Sequence, residues 1–305
     1  MFTGFFIGII AAFVWAVTNL VDKYLVDKYA SEGNIGGVLL LSCFFPLSLL
    51  LVSAFVAPEH IMNVSVSELG ILMLSGALMV MWIYFYLKAL SVEDSSVVMT
   101  LLVLAPFFSL IFAQQILHEL PTPYQLVAGI FLVAGAITVV YEPRTHHFKW
   151  KLFGYALAAS ATTGLMTSLF KFAAVDVGVW ESLFWRSSGM ILIGCLLFSF
   201  VKSFRHDFYY FMKDHFGQAA GLNLGNESLT LIGDTLFSFA MVLAPLALLQ
   251  TTEAYQPIFI FIMVIALNKL GYTAVTENID QRVLIQKGSG FALVLTGTIL
   301  LSVVG

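Results

Sequence analysis

Polar side chains interrupt one of the apolar stretches of this sequence at helical intervals. Within residues 217–243 they are Asn223, Glu227, Thr230 and Asp234, with Asn226 beside them. Residues three or four apart lie on one face of an α-helix, so these side chains are predicted to form a polar stripe. The stripe could be satisfied by neighbouring helices. Two carboxyl groups without a basic residue in the same stretch favour a cavity or a proton relay, because burial favours the protonated form of an acid.

The next apolar stretch carries a second polar group around a proline. Gln250, Glu253 and Pro257 follow helical spacing within residues 246–267. Proline has no N–H and leaves a carbonyl one turn earlier, near Glu253, without its helical partner. Broken helices with unpaired carbonyls are typical of carrier sites, although a simple packing kink is the alternative. Pro106 lies at the matching place in the first half of the chain, and both prolines are candidate hinges.

Basic side chains inside apolar stretches need a partner or a water-filled cavity. Lys171 continues a polar helix face that contains Ser160, Thr163 and Thr167. The acids named above are its candidate partners. Arg186 lies deep in its own stretch and is another candidate for binding, whereas Lys23 is expected to reach the membrane surface.

Aromatic residues could form a wall of the same cavity. Trp82 and Tyr86 are four residues apart, and Trp15 shares a helix face with Asn19 and Asp22. Aromatic faces suit flat or cationic solutes. The chain has 28 Phe and 11 Tyr, so contact with lipid is the alternative for any one pair.

Composition identifies the elements that must position these residues. Of the 305 residues, 60% are hydrophobic and 10% are charged, with a mean hydropathy of +0.94. Soluble domains carry roughly a quarter charged residues, which excludes the soluble enzyme classes. Continuous apolar runs also exclude a β-barrel. We predict an all-α integral membrane protein with ten transmembrane helices, at about 3–26, 35–57, 68–90, 95–116, 123–141, 151–175, 180–201, 217–243, 246–267 and 287–304.

Positive charge is distributed unevenly between the connections. Of the 14 Lys and Arg residues, eleven lie in odd-numbered connections or at their edges: Lys28, Lys88, Arg144, Lys149, Lys151, Lys202, Arg205, Lys213, Lys269, Arg282 and Lys287. By the positive-inside rule these connections are cytoplasmic, and both termini are predicted to face outward. The connection 202–215 mixes aromatic and basic residues and is expected to be an interfacial helix.

The chain divides near residue 148 into halves with similar patterns. A Lys–Asp pattern at 23–27 is echoed at 171–176, and the segment ending at Pro106 is echoed by the one ending at Pro257. Five helices per half is an odd number, so the repeats 1–148 and 149–305 enter the membrane from opposite sides. Such inverted repeats allow alternating access to a site near the midplane.

The five-helix unit resembles the EamA-type domain of the drug/metabolite transporter superfamily. The resemblance is carried by Ala89–Leu90, Pro106, Glu119, Gly129 and Gly135, and the first half matches more clearly than the second. It implies a ten-helix carrier of small metabolites, amino acids or amphiphilic drugs, and in distant relatives of nucleotide sugars or lipid-linked sugars. It also implies cytoplasmic termini, opposite to the orientation that the charges predict.

These observations favour a secondary carrier of a small polar or amphiphilic metabolite in the cytoplasmic membrane, coupled to protons or to exchange. The alternative is a translocase for a lipid-linked sugar or polyprenyl phosphate, with Lys171 and Arg186 on the phosphate. Catalytic motifs and metal-ligand spacing are absent from the sequence, so no enzyme, cofactor or metal is expected. The expected partners are a small solute, the lipid bilayer and H⁺, without nucleic acid, for a monomer or dimer.

The orientation can be tested with a reporter protein that fluoresces only in the cytoplasm, fused after Gly305. The distribution of positive charge predicts a dark fusion. A fusion truncated after Lys213, in a connection predicted to be cytoplasmic, is the control and should fluoresce. Fluorescence of the full-length fusion would refute the outward termini.

Overall fold

The computed structural model describes residues 2–29, 35–117, 122–142, 147–214, 219–270 and 281–303. These residues form fourteen helices and one pair of short strands. The first half contains α1 (Phe2–Tyr29), α2 (Gly36–Phe44), α3 (Leu47–Val56), α4 (Val66–Leu90), α5 (Ser95–Leu102), α6 (Ala105–Ile116) and α7 (Pro123–Val140). The antiparallel strands β1 (Tyr141–Glu142) and β2 (His147–Phe148) follow. The second half contains α8 (Trp150–Val177), α9 (Val179–Phe200), α10 (Lys202–Asp214), α11 (Ala219–Leu243), α12 (Leu246–Glu253), α13 (Gln256–Lys269) and α14 (Gln281–Val303).

Apolar helices of membrane-spanning length confirm the prediction of an all-α integral membrane protein. Among the described residues, seven segments are long and apolar enough to cross a bilayer: Phe2–Lys28, Gly36–Val56, Val66–Leu90, Ser95–Ile116, Pro123–Val140, Val179–Phe200 and Thr251–Lys269. Each of the ten predicted spans coincides with one helix or with two consecutive helices. The remaining segments, α8, α11 and α14, are more polar or shorter in apolar length, so the count of ten stays a prediction.

Prolines interrupt three of the apolar segments. Pro46 separates α2 from α3, while Pro106 and Pro257 occupy the first turns of α6 and α13. The N–H groups of a helix's first turn have no acceptor within the helix, so a proline there removes no helical hydrogen bond. The structure therefore has a new helix beginning at each of the two predicted hinge positions, which is the broken helix of the sequence analysis and not the kink that was its alternative.

The helices of the two halves pack against each other. The contacts join α1 to α11, α4 to α8, α7 to α14 and α6 to α8, and α1 also packs on α12 and α13. The predicted interfacial segment forms helix α10, which docks on the start of α2. There Gly36 and Gly37 lie so close to Phe204 and Phe211 that a Cβ on either glycine would collide with them. This contact buries Phe211, while Tyr209 and Tyr210 stay exposed.

Two glycines set the separation between α4 and α9. A Cβ on Gly76 would overlap the carbonyl oxygen of Arg186, and a Cβ on Gly189 would overlap that of Met73. Helices in lipid approach closely where small residues meet, since van der Waals contact replaces the hydrophobic effect there. The crossing also determines where Arg186, a predicted site residue, lies relative to α4.

Substitution of Gly76 by Ala should destabilise this crossing. The new methyl group meets backbone on α9, and overpacking of this kind costs roughly 1–3 kcal/mol. Thermal unfolding of the purified protein in detergent measures the effect. Gly70→Ala on the same helix is the control, because a Cβ added at Gly70 would have no other atom within 4 Å. Equal melting temperatures for the two variants would contradict the close approach.

Candidate functional site

A cavity of about 120 Å³ lies between helices from both halves of the chain. Its walls come from α1, α2, α4, α5, α8, α9, α11 and the junction of α12 with α13. Most of the predicted site residues line it: Trp15, Asn19, Trp82, Tyr86, Arg186, Glu227, Asp234 and Glu253. Thr163, Thr167 and Thr230, which share the predicted polar faces, line it as well.

The other candidates lie elsewhere. Asn223 is buried on α11 without lining the cavity. Lys171 is also outside the lining, and its Nζ donates to the carbonyl of Ala244 at 3.4 Å. The side chain of Gln250 is outside the described residues. Pro257 follows Gln256, a lining residue, directly.

The acidic stripe of α11 is held by partners from the first half of the chain. Ser42 Oγ donates to Glu227 Oε1, and Trp15 Nε1 donates to Asp234 Oδ1 over 3.1 Å. Gly233 makes the second contact feasible, because a Cβ there would lie 2.7 Å from Trp15 Nε1. Both carboxyl groups are buried, with 7% and 8% of Glu227 and Asp234 exposed. Hydrogen bonds of this kind offset part of the cost of burying polar groups in an apolar environment.

A chain of hydrogen bonds connects α11, α1, α4 and α13 at one side of the cavity. Asn226 Nδ2 donates to Asp22 Oδ1 at 2.6 Å. Tyr86 Oη lies 2.9 Å from Asp22 Oδ2 and 2.6 Å from Asn19 Oδ1. Asn19 Nδ2 donates to Gln256 Oε1 at 3.1 Å. The chain thus runs from the polar stripe to the first residue of α13.

Glu253 ends α12 at the break and is partly buried. Unlike the other lining acids, it has no side-chain hydrogen bond or ion pair within the described part of the structure. Its carboxyl group is therefore available to a solute or a proton. In the same part of the chain, no three His, Cys, Asp or Glu side chains converge as metal ligands would.

A further part of the cavity wall is aromatic and apolar, and Tyr86 belongs to it as well as to the hydrogen-bond chain. Trp82 and Tyr86 stack with ring centroids 5.0 Å apart and planes at 5°. The guanidinium of Arg186 lies 4.7 Å from the ring centroid of Phe170. Methionines complete this side: Met79, Met99, Met166, Met190 and Met241. Thioether side chains adapt to irregular ligand shapes, so this surface can accept an apolar group.

Sequence analysis missed three residues of this site. Asp22 shares a helical face with Trp15 and Asn19, and that spacing was sufficient to name it as a candidate. Gln256 directly precedes Pro257, and this position next to a predicted hinge was a weaker indication of a site residue than the helical spacing of Asp22. Ser42 is a single serine in an apolar helix, and nothing in the sequence distinguishes it from a serine that bonds only to its own backbone.

Comparison with known proteins agrees with this architecture. A protein of Archaeoglobus fulgidus described as an uncharacterized transporter is 28% identical over 127 residues, which are 42% of this chain and 43% of that protein. The match thus spans less than half of the relative. A solved crystal structure of another protein superposes with a TM-score of 0.65 at 12% identity, covering 98% of this chain and 97% of that one, which shows a shared fold. Residues 2–141 match the model of the EamA-like transporter family. The resemblance found in the sequence is confirmed over residues 2–141, the part of this chain that is similar to an EamA-like transporter domain.

Proposed function

We propose that this protein is a secondary carrier that moves a small polar or amphiphilic solute by alternating access, with proton coupling or exchange. The observation that carries the proposal is the cavity, which is enclosed by helices of both halves and lined by the carboxyl groups of Asp22, Glu227, Asp234 and Glu253. Intramembrane acids are costly and are typical of ion and solute pathways.

Helix packing supports two inverted five-helix repeats, residues 1–148 and 149–305. If α8 and α11 are the counterparts of α1 and α4, exchange of the halves converts the α1–α11 contact into the α8–α4 contact. Both contacts are present. The same exchange relates the contact of α6 with α8 to those of α12 and α13 with α1. Such pseudo-symmetry gives two related conformations that open to opposite sides.

The proline breaks give the repeats a place to bend. Pro106 and Pro257 begin the second parts of two equivalent helices, and Leu102 and Gln256 at these breaks line the cavity. Few backbone hydrogen bonds cross a break, so rotation there costs less than in a continuous helix. We propose that both prolines act as hinges during the transition.

The charges of the cavity favour a solute with positive charge. The described lining residues include four acids and one basic residue, Arg186. The stacked pair of Trp82 and Tyr86 adds an aromatic face that attracts cations. A phosphate-binding translocase requires the opposite charge balance, and Lys171 does not line the cavity. The geometry therefore supports a carrier of a cationic or zwitterionic amphiphile over a polyprenyl-phosphate translocase.

A pair of matched compounds tests the charge preference. An aromatic trimethylammonium compound and its neutral tert-butyl isostere have nearly the same shape. The cation should raise the melting temperature of the purified protein at concentrations about tenfold lower than the isostere, because a desolvated cation–π contact contributes up to about 2 kcal/mol. Stabilisation by a polyprenyl phosphate and not by the cation would favour the translocase.

Glu227 and Asp234 should be required for coupling. In proteoliposomes, Glu227→Gln and Asp234→Asn should each lower solute-driven proton flux by about tenfold or more, because an amide cannot carry the proton between the two sides. A pH-sensitive dye inside the vesicles measures the flux. Asp176→Asn changes an exposed acid at the end of α8 and is the control. Normal proton flux in both cavity variants would remove these residues from the proposed site.

A further inference from the structure

The hydroxyl of Tyr86 has one hydrogen and two acceptors. It lies 2.6 Å from Asn19 Oδ1 and 2.9 Å from Asp22 Oδ2. A phenol donates a single hydrogen bond, so Tyr86 can donate to only one of these oxygens at a time. The other short contact needs a hydrogen from elsewhere. A protonated Asp22 carboxyl group supplies it with the Asn19 amide in its present orientation, whereas a charged Asp22 requires the Asn19 amide to turn its Nδ2 toward Tyr86.

A protonated Asp22 satisfies every contact in the chain. Its own hydrogen then lies on Oδ2 and is donated to Tyr86 Oη, which in turn donates to Asn19 Oδ1. The other carboxyl oxygen accepts from Asn226 Nδ2 at 2.6 Å. Asn19 donates onward to Gln256 Oε1 at 3.1 Å. All donors of the chain therefore point in one direction, from Asn226 on α11 toward Gln256 on α13.

Loss of that proton breaks the pattern. A charged carboxylate is the stronger acceptor, so the Tyr86 hydrogen turns toward Asp22. Tyr86 Oη and Asn19 Oδ1 are then two oxygens 2.6 Å apart without a hydrogen between them. The repulsion is relieved when the Asn19 amide turns over or moves away. Either change breaks the present bond from Asn19 to Gln256, because a turned Asn19 amide presents its oxygen to Gln256 Oε1 and the Gln256 amide would have to turn as well before the two could bond again.

We propose that Asp22 is the residue whose protonation controls the junction between α12 and α13, through Tyr86, Asn19 and Gln256. Gln256 is the first residue of α13 and precedes Pro257, so the chain ends at a break where the backbone can bend. The proposal rests on the proposed carrier function for its purpose. The switch itself depends only on the contacts of this chain.

Asp22 is the acid that is hydrogen-bonded to Tyr86, and the other charged groups nearby have different contacts. On its own helix, Lys23 is held by Asp27 at 2.8 Å and by the Leu90 carbonyl at 3.0 Å. Across the cavity, α11 presents Glu227 and Asp234, which are held by Ser42 and Trp15. From α12 and α9, Glu253 and Arg186 face the same cavity. The residues of α5 are not titratable, and the helix end of α13 nearest Asp22 carries the neutral Gln256.

Asparagine at position 22 mimics the protonated acid. In Asp22→Asn the amide donates to Tyr86 Oη while its oxygen accepts from Asn226, so the chain keeps one direction at every pH. Hydrogen exchange of the backbone amides of residues 254–256, corrected for the intrinsic effect of pH, reports opening of the junction in the purified protein. In the unaltered protein, protection should fall by between about threefold and tenfold as pH rises, as expected for loss of one hydrogen bond.

Three variants make the test decisive. Asp22→Asn should hold the junction in its low-pH protection at all pH values, and Asp176→Asn, which changes an exposed acid at the end of α8, should behave as the unaltered protein. Tyr86→Phe should remove the pH dependence because it cuts the chain, which provides a second test should Asp22→Asn fail to fold. A pH-dependent junction in both Asp22→Asn and Tyr86→Phe, or a pH-independent one in the unaltered protein, overturns the proposal. Because the assay contains no solute, a failure of transport in proteoliposomes would instead count against the carrier function.

Discussion

A polar group inside the bilayer is stabilised when another part of the protein supplies its hydrogen-bond partner. Water is absent from the hydrocarbon core, and an unpaired backbone or side-chain group there costs several kcal/mol. The structure meets this constraint by joining distant parts of the chain: Asn19 bonds to Gln256, Asp22 to Asn226 and Asp234 to Trp15. These bonds connect the first helix to elements of the second half. The position of α1 against α11 and α13 depends on them.

Close packing and helix breaks serve the same cavity in different ways. Gly76 and Gly189 allow α4 and α9 to touch, which sets the position of Arg186, and Gly233 allows Trp15 to reach α11. Proline occurs where one helix ends and the next begins, at the starts of α6 and α13. A carrier needs both properties. The walls must exclude lipid and hold polar side chains in register, while a few junctions must bend at low cost.

The balance of charge in the cavity distinguishes the candidate functions more sharply than the fold does. A similar fold at 12% identity indicates architecture alone, and the EamA-like domain covers residues 2–141. Four acids, one guanidinium and a stacked aromatic pair describe a surface that attracts positive charge. Glu253 has no side-chain partner among the described residues, whereas Asp22 is hydrogen-bonded to Tyr86 and Asn226. We therefore propose different roles for them: Glu253 binds a solute, and Asp22 acts on the helix junction.

The sequence by itself determined the fold class, the positions of the helices, the polar face of α11 and the two proline breaks. These features are local: hydropathy specifies a transmembrane helix, spacing of three and four specifies a face, and proline ends a hydrogen-bonded turn. Only the tertiary structure decided which faces meet. Helical spacing treats Lys171 and Asp22 alike, yet Lys171 turns to the carbonyl of Ala244 while Asp22 joins the cavity. Ser42 and Gln256 became site residues because Glu227 and Asn19, 185 and 237 positions away in sequence, lie against them. The physical reason is that a helix determines the direction of its side chains, whereas packing determines what those side chains encounter.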